Sequence, residues 1–270
     1  MHKHPKKSGA TLQLKKVGYK ALLAGLIIGF ISLLGCATPT GESARIYFVT
    51  DTPRGFKLVS EIREVKNEEQ AVKDLLTGQL QPLDPDYQNL WAESDLNSIK
   101  IIEDLAVVDI SFGSLNVGAE GEQRAIDQIV WTLTEINPEI TKVEFLVNSN
   151  SIETFAGHVD TLAQFSRQPD YEVLNPLQIS SLNENGSTNS PVVISGEACT
   201  FEANVVWTLL IADQPILNNY TTAETACPER SNWSVDLGEL EKGEYRFKVE
   251  EFSAEDGSLF AQDDKVFIVD

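Results

Sequence analysis

Histidine, cysteine and methionine are scarce in this chain of 270 residues, which holds three, three and one of them. Two of the histidines, His2 and His4, lie in a lysine-rich start, which leaves His158 by itself. One imidazole builds neither a catalytic triad nor a multi-histidine metal site. Basic side chains are few as well: 21 Lys and Arg stand against 41 Asp and Glu, a net charge of −20. Residues 1–35 contain six lysines and no acid, so the remainder carries 15 basic against 41 acidic groups, a net of −26. A surface that acidic repels nucleic acid and anionic headgroups, and it favours Lys/Arg-rich proteins or divalent cations as electrostatic partners. The apolar run at residues 21–34 is shorter than the roughly 20 residues a spanning helix needs, and Gly25, Gly29 and Ser32 interrupt it. No internal repeat is evident.

What is present begins with that run. A charged start, an apolar stretch and a small-residue end read as a secretory signal over residues 1–35. An uncleaved anchor beside Lys15, Lys16 and Lys20 would also satisfy the positive-inside rule, but the length of the run speaks against it. Leu33, Leu34, Gly35 and Cys36 resemble the lipobox of bacterial lipoproteins, in which the cysteine is lipidated and becomes the first mature residue. The resemblance implies lipid attachment at Cys36 and a protein held at the extracytoplasmic face of the cell membrane. With Cys36 so used, Cys199 and Cys227 are the remaining pair in an oxidising compartment and are expected to form a disulfide. Closing that loop would add roughly 3 to 4 kcal/mol of stability. The alternative is two unpaired thiols, each buried in its own strand.

About 235 residues follow the signal, more than the usual single domain, so two domains are expected. Hydrophobic content of 42% fits globular folding. Residues 36–44 read as a tether. Ile46, Tyr47, Phe48 and Val49 form a strand signal, and residues 58–65 are a second extended candidate. Asn67 and Gln70 resemble a capping box before a helix with Ala71, Val72, Leu75 and Leu76 on one face, ended by Gly78. Residues 79–97 read as loop, and a hairpin turns near Glu103 and Asp104. Ile126, Ile129, Val130 and Leu133 keep helical spacing, and Val143, Phe145 and Val147 alternate as a strand. Strand, helix, two strands, helix, strand over residues 45–148 predicts an α/β sandwich with its helices on one face of a mixed sheet. Residues 149–174 read as a connector. Beyond them Phe201, Ala203, Val205, Trp207, Leu209 and Ile211 alternate, as do Trp233, Val235, Leu237 and Tyr245, Phe247, Val249. Residues 175–270 are therefore expected as a β-sandwich, and the whole as an α+β chain.

Two family resemblances rest on these residues. Residues 45–148, through Ile46 to Val49, the 71–78 helix end, Val108, Asp109, Ile110, Ser111 and the 130–133 and 143–147 segments, resemble the GerMN domain of spore-germination lipoproteins. That family commonly has a proline before the hairpin, where this chain has residues 91–94, and a glycine where Asn148 and Ser149 stand. Residues 175–270, through Ser195, Gly196, Phe201, Glu202, Ala203, Asn204, Val205, Trp207 and the 251–258 segment, are similar to the immunoglobulin-like domain of bacterial spore germination. The resemblances imply a ring-building-motif-like fold followed by an immunoglobulin-like one, other envelope proteins as partners, and no active site or cofactor. A homo-oligomer stays open.

The candidate chemistry is thin. His158 falls in the connector, where a solvated or hinge-packing role outweighs catalysis. Asp109 sits opposite Val108 and Ile110 in the alternation, so a solvated or loop-bonding carboxylate is expected. Glu255, Asp256, Asp263 and Asp264 could gather a calcium ion, but they lack a spaced-acid loop and read better as solvated turn acids. Trp207 and Trp233 read as core. Trp91, in a loop, is the exposed-aromatic candidate for ligand contact. The sequons at Asn185, Asn219 and Asn232 matter only in a eukaryote. The reading is a non-enzymatic, membrane-anchored envelope lipoprotein mediating protein association. Its alternative is a module binding wall polysaccharide or another ligand.

Overall fold

A computed structural model describes residues 41–91 and 94–270. The signal at 1–35, lipid attachment at Cys36 and tether residues 36–40 lie outside the described residues. Among the described residues no helix is long and apolar enough to cross a membrane.

Ile46, Tyr47, Phe48 and Val49 lack alternation because their strand is buried on both sides. β1 (Glu42–Thr52) and β2 (Gly55–Val65) form an antiparallel hairpin with Val49 opposite Leu58, and β3 (Tyr87–Gln88) joins the other edge of β1. Ile46 and Phe48 enter the main core of this half, while Tyr47 and Val49 pack with Leu58 and Trp131 on the opposite side.

α1 (Glu68–Leu76) starts at Asn67, whose side chain accepts the Gln70 N–H at 2.9 Å. Only this half of the expected capping box forms, because the Gln70 amide reaches forward to Asp74 at 2.6 Å. Gly78, at φ +71°, follows the helix in the left-handed conformation that ends it. β4 (Asp95–Ile102) and β5 (Leu105–Ser111) form the expected hairpin, α2 (Ala119–Ile136) follows, and β6 (Lys142–Val147) pairs parallel to β5.

The six strands divide into two sheets of three, β2-β1-β3 and the mixed β4-β5-β6. Helix α2 accounts for the division. It is buried nearly all round, with Ala125, Ile126, Ile129, Val130 and Leu133 in the main core and Trp131 in the smaller cluster. Its Thr132 Oγ1 accepts the Tyr47 N–H at 3.2 Å, covering the part of the β1 edge that short β3 leaves open.

The segment expected as a connector is fastened to this half. The buried Glu122 carboxylate accepts backbone N–H groups of Phe155, Ala156, His158 and Val159 at 2.7 to 3.1 Å. Phe165 exchanges backbone hydrogen bonds with Val143 at 2.8 Å, covering the outer edge of β6. A single turn, α3 (Asp170–Val173), leads onward.

The second half is a β-sandwich of β7 (Leu177–Ile179), β8 (Gly186–Thr188), β9 (Val192–Ala198), β10 (Asn204–Ile211), β11 (Gln214–Thr222), β12 (Ser231–Gly238), β13 (Gly243–Phe252) and β14 (Leu259–Val269). One sheet runs β12-β9-β7 and the other β11-β10-β13-β14-β8, with β8 parallel to β14. Phe247 lies between Trp207 and Trp233, with centroids 5.7 and 6.3 Å away. Gly196 has no room for a side chain, since a Cβ there would stand 1.9 Å from the Gln178 carbonyl oxygen. The alternating run starts later than expected. Phe201–Ala203 is a 3-10 turn, Glu202 and Ala203 take positive φ, and Phe201 is 62% exposed. Ile211, at the other end, is exposed too.

Candidate functional site

The residues with unusual chemistry meet at the seam between the two halves, whose described residues lie within one compact unit. β14 supplies the first of them. Its inward positions run Ala261, Asp263, Lys265, Phe267 and Val269, all buried, so an acid and a base occupy the parity that is otherwise apolar. The 82–86 loop of the first half brings Asp84, and β3 brings Tyr87, against them.

Lys265 Nζ donates to Asp84 Oδ2 at 2.7 Å, to Asp263 Oδ1 at 2.8 Å, to the Tyr87 hydroxyl at 2.8 Å and to the Asp264 carbonyl at 3.0 Å. It is 4% exposed. The Tyr87 hydroxyl donates to Asp263 Oδ1 at 2.9 Å, and the Ile179 N–H to Asp263 Oδ2 at 2.6 Å. Burial pushes the Asp263 carboxyl up against the pull of Lys265. Burial lowers Lys265 as well, but the two carboxylates outweigh it and the ammonium titrates above the ordinary lysine value. The Tyr87 phenol is pushed well up, by burial first and then by Asp263 and Asp84. A catalytic amine needs a lowered pKa and a free electron pair. Lys265 has neither, so this cluster acts as an ionic clamp.

A second clamp lies further along the seam. Arg45 of β1 grips Glu197 of β9 with both terminal nitrogens, at 2.7 and 3.0 Å, and Arg230 Nε adds a contact at 3.3 Å. The Arg45 hydrogen bonds are the main reason Glu197 titrates below the usual carboxylate value. Arg230 also donates to the Asn175 carbonyl at 2.9 Å, while the Asn175 N–H donates to the Leu58 carbonyl at 2.8 Å. Between the clamps lies a hollow of about 150 Å³ lined in part by Arg45, Ser60, Glu61, Asp84, Gln178 and Lys265.

The residues singled out in the sequence are not assembled into a site. Trp91, expected as an exposed aromatic, is 1% exposed; its indole N–H donates to the Ala125 carbonyl at 2.8 Å and its ring packs edge-on against Phe155. A loop residue is inside here because the fastened 155–159 segment closes over it. Asp109 is buried and bonds a loop, accepting from Ser149 N–H and Oγ at 2.9 Å; burial raises its pKa, but those donors leave it below the usual value. His158 is exposed, and its backbone N–H serves Glu122.

The four acids weighed for calcium and expected as solvated turn acids are separated in their bonding, and two of them are not turn acids, since Asp263 and Asp264 lie in β14 and Asp263 is buried. Asp256 accepts from the Ser258 hydroxyl and N–H, which hold it down at about 2, Asp264 pairs with Arg246 and Asp263 belongs to the clamp. Among the described residues no group of three or more His, Cys, Asp or Glu side chains could hold a metal ion. Cys199 and Cys227 are bonded, with Cα atoms 4.5 Å apart. Sequence reasoning missed Asp84, Tyr87 and Lys265. The available signal was the parity of Asp263 and Lys265 with Phe267 and Val269.

Residues 45–153 match the family described as Germane, sporulation and spore germination, and residues 172–258 match Gmad2, the immunoglobulin-like domain of bacterial spore germination. No curated protein matches the chain. Among solved structures, a Clostridium perfringens protein described as a candidate lipoprotein is 24% identical, covers 47% of this chain and 88% of its own, and has a TM-score of 0.33. The first GerMN domain of the Bacillus subtilis sporulation protein GerM is 19% identical over 47% of this chain and 98% of its own, with a TM-score of 0.38. The tandem GerMN domains of that protein give 16% identity, 73% and 61% coverage and a TM-score of 0.38. In its two halves the chain resembles a sporulation and spore germination domain followed by an immunoglobulin-like domain of bacterial spore germination.

Proposed function

We propose that this protein works by association rather than by catalysis, as a lipid-anchored, non-enzymatic envelope protein whose two domains act as one body toward other proteins outside the cytoplasm. The observation that carries the reading is the Lys265 clamp, which buries one ammonium and two carboxylates, Asp84 and Asp263, at the seam. Buried ions of this kind fix one arrangement, because any other leaves a charge unpaired. Independent modules on a flexible linker have no use for that, whereas a surface composed from both domains does. The acidic surplus favours a basic partner surface. Anchoring rests on the pattern of Leu33, Leu34, Gly35 and Cys36.

Crosslinking in the native envelope followed by mass spectrometry tests the reading. One or a few envelope proteins captured at fixed positions on both domains are expected. A reproducible hydrolase or transferase activity abolished by one point substitution overturns it. The wall-ligand alternative loses its main residue with the burial of Trp91. Pull-down on purified cell wall is expected to be the same with and without residues 175–270.

A further inference from the structure

Three of the chain's seven arginines, Arg45, Arg167 and Arg230, line one hollow of about 350 Å³ on the seam. Guanidiniums gathered in this way repel one another unless carboxylates separate them. Two carboxylates are hydrogen-bonded to them. Arg167 donates to Glu135 at 2.8 Å, while Glu197 accepts both terminal nitrogens of Arg45 and, at 3.3 Å, Nε of Arg230. Three cations thus share two anions, which leaves a surplus of one positive charge in a chain that is otherwise strongly acidic. Asp170 and Glu224 also line the hollow, but both are exposed, and among the described residues neither carboxylate is hydrogen-bonded to an arginine.

Arg230 carries the deficit. Its side chain is 7% exposed, and its buried Nη2 has no acceptor among the described residues. The hydrogen bonds to Glu197 raise Arg45 above the ordinary arginine value, whereas burial outweighs the same carboxylate at Arg230 and lowers it. A second donor in the wall, the Trp131 indole N–H, also has no acceptor among the described residues. Buried donors in this condition are rare in folded proteins and call for a partner. In front of them the Arg45 and Arg167 side chains are 32% and 33% exposed. The Arg167 guanidinium lies over the Trp131 ring, 4.4 Å from its centroid, and 5.8 Å from that of Tyr47. One surplus charge matches a monoanion. A phosphate dianion would exceed it and face the Asp170 and Glu224 carboxylates, while a planar carboxylate fits the guanidinium fork.

We propose that this hollow binds a small organic monocarboxylate, held by Arg45 and Arg167 in front of the unbalanced charge of Arg230. The site goes beyond the association reading and does not depend on it. The full chain in detergent, titrated calorimetrically at fixed ionic strength with benzoate, with its neutral isostere benzamide and with inorganic phosphate, tests the proposal. Saturable heat and a raised unfolding midpoint are expected with benzoate, and binding weaker by about tenfold or more with benzamide and phosphate. Arg230→Gln removes the surplus charge and should weaken benzoate about tenfold. Asn232→Asp adds an acid to the lining, keeps every arginine contact and should weaken benzoate by a similar factor, so it decides the matter if Arg230→Gln fails to fold. No saturable heat with benzoate, benzamide or phosphate binding as tightly as benzoate, or an affinity unchanged in either folded variant overturns the proposal.

Discussion

The side-chain amide of Gln178 meets the backbone of Ser60 as a neighbouring strand would, accepting its N–H at 3.2 Å and donating to its carbonyl at 2.8 Å. One side chain from β7 thereby occupies the edge of β2 at the middle of the seam. Gln178→Ala strands both backbone groups and is expected to cost about 2 kcal/mol in denaturant unfolding. Gln178→Glu should cost more, since a carboxylate cannot donate to the Ser60 carbonyl.

Lys265→Met leaves the Asp84 and Asp263 carboxylates buried without their cation. The expected loss is about 3 to 5 kcal/mol, read from the unfolding midpoint. Adding Asp84→Asn and Asp263→Asn removes the unpaired charges and should recover part of that loss.

The pKa directions define two pH windows. Lys265 titrates above the ordinary lysine value, so its contribution is complete below that value and is lost as pH rises through the raised one, above about pH 10.5. Glu122 and Glu197 titrate below the ordinary value, so their contributions are present above about pH 4.5 and are lost as pH falls through the lowered values. Asp263, raised by burial, works in the opposite sense and softens the acid limb. Unfolding midpoints across pH should show both limbs, and Lys265→Met should flatten the alkaline one.

Glu122→Gln replaces one carboxylate oxygen with a donor facing two backbone N–H groups of the 155–159 loop. A loss of about 3 kcal/mol is expected, with faster hydrogen exchange at those four amides.

Replacing both Cys199 and Cys227 with serine opens a loop between residues 28 apart in sequence and should cost about 3 to 4 kcal/mol. Arg230 lies three residues beyond Cys227, so hydrogen exchange at Asn175 and Glu197 should rise with it.

Local patterns in the chain carried most of the elements. The spacing of Ile126, Ile129, Val130 and Leu133 specified α2, and the parity of Tyr245, Phe247 and Val249 specified β13, because burying one face imposes the period of the element that buries it. Trp91 shows where such reasoning stops. A loop has no period, so whether its aromatic faces water depends on a segment sixty-odd residues away that closes over it. Phe201 is the reverse case, an apolar residue in correct parity that the positive φ of Glu202 and Ala203 takes out of the strand.

The sequence by itself determined the α+β class, the two kinds of domain and the surplus of acid, which follow from composition and short-range spacing, whereas the cysteine pair was expected only once the lipobox resemblance set Cys36 aside. Tertiary structure alone decided that Lys265 is an ionic clamp. A lysine at an inward position of β14 is a fault until Asp84 and Tyr87, some 180 residues earlier in the chain, are brought within hydrogen-bonding distance. Buried charge is stabilised only by specific partners at about 3 Å, and no local pattern specifies which distant residues those are.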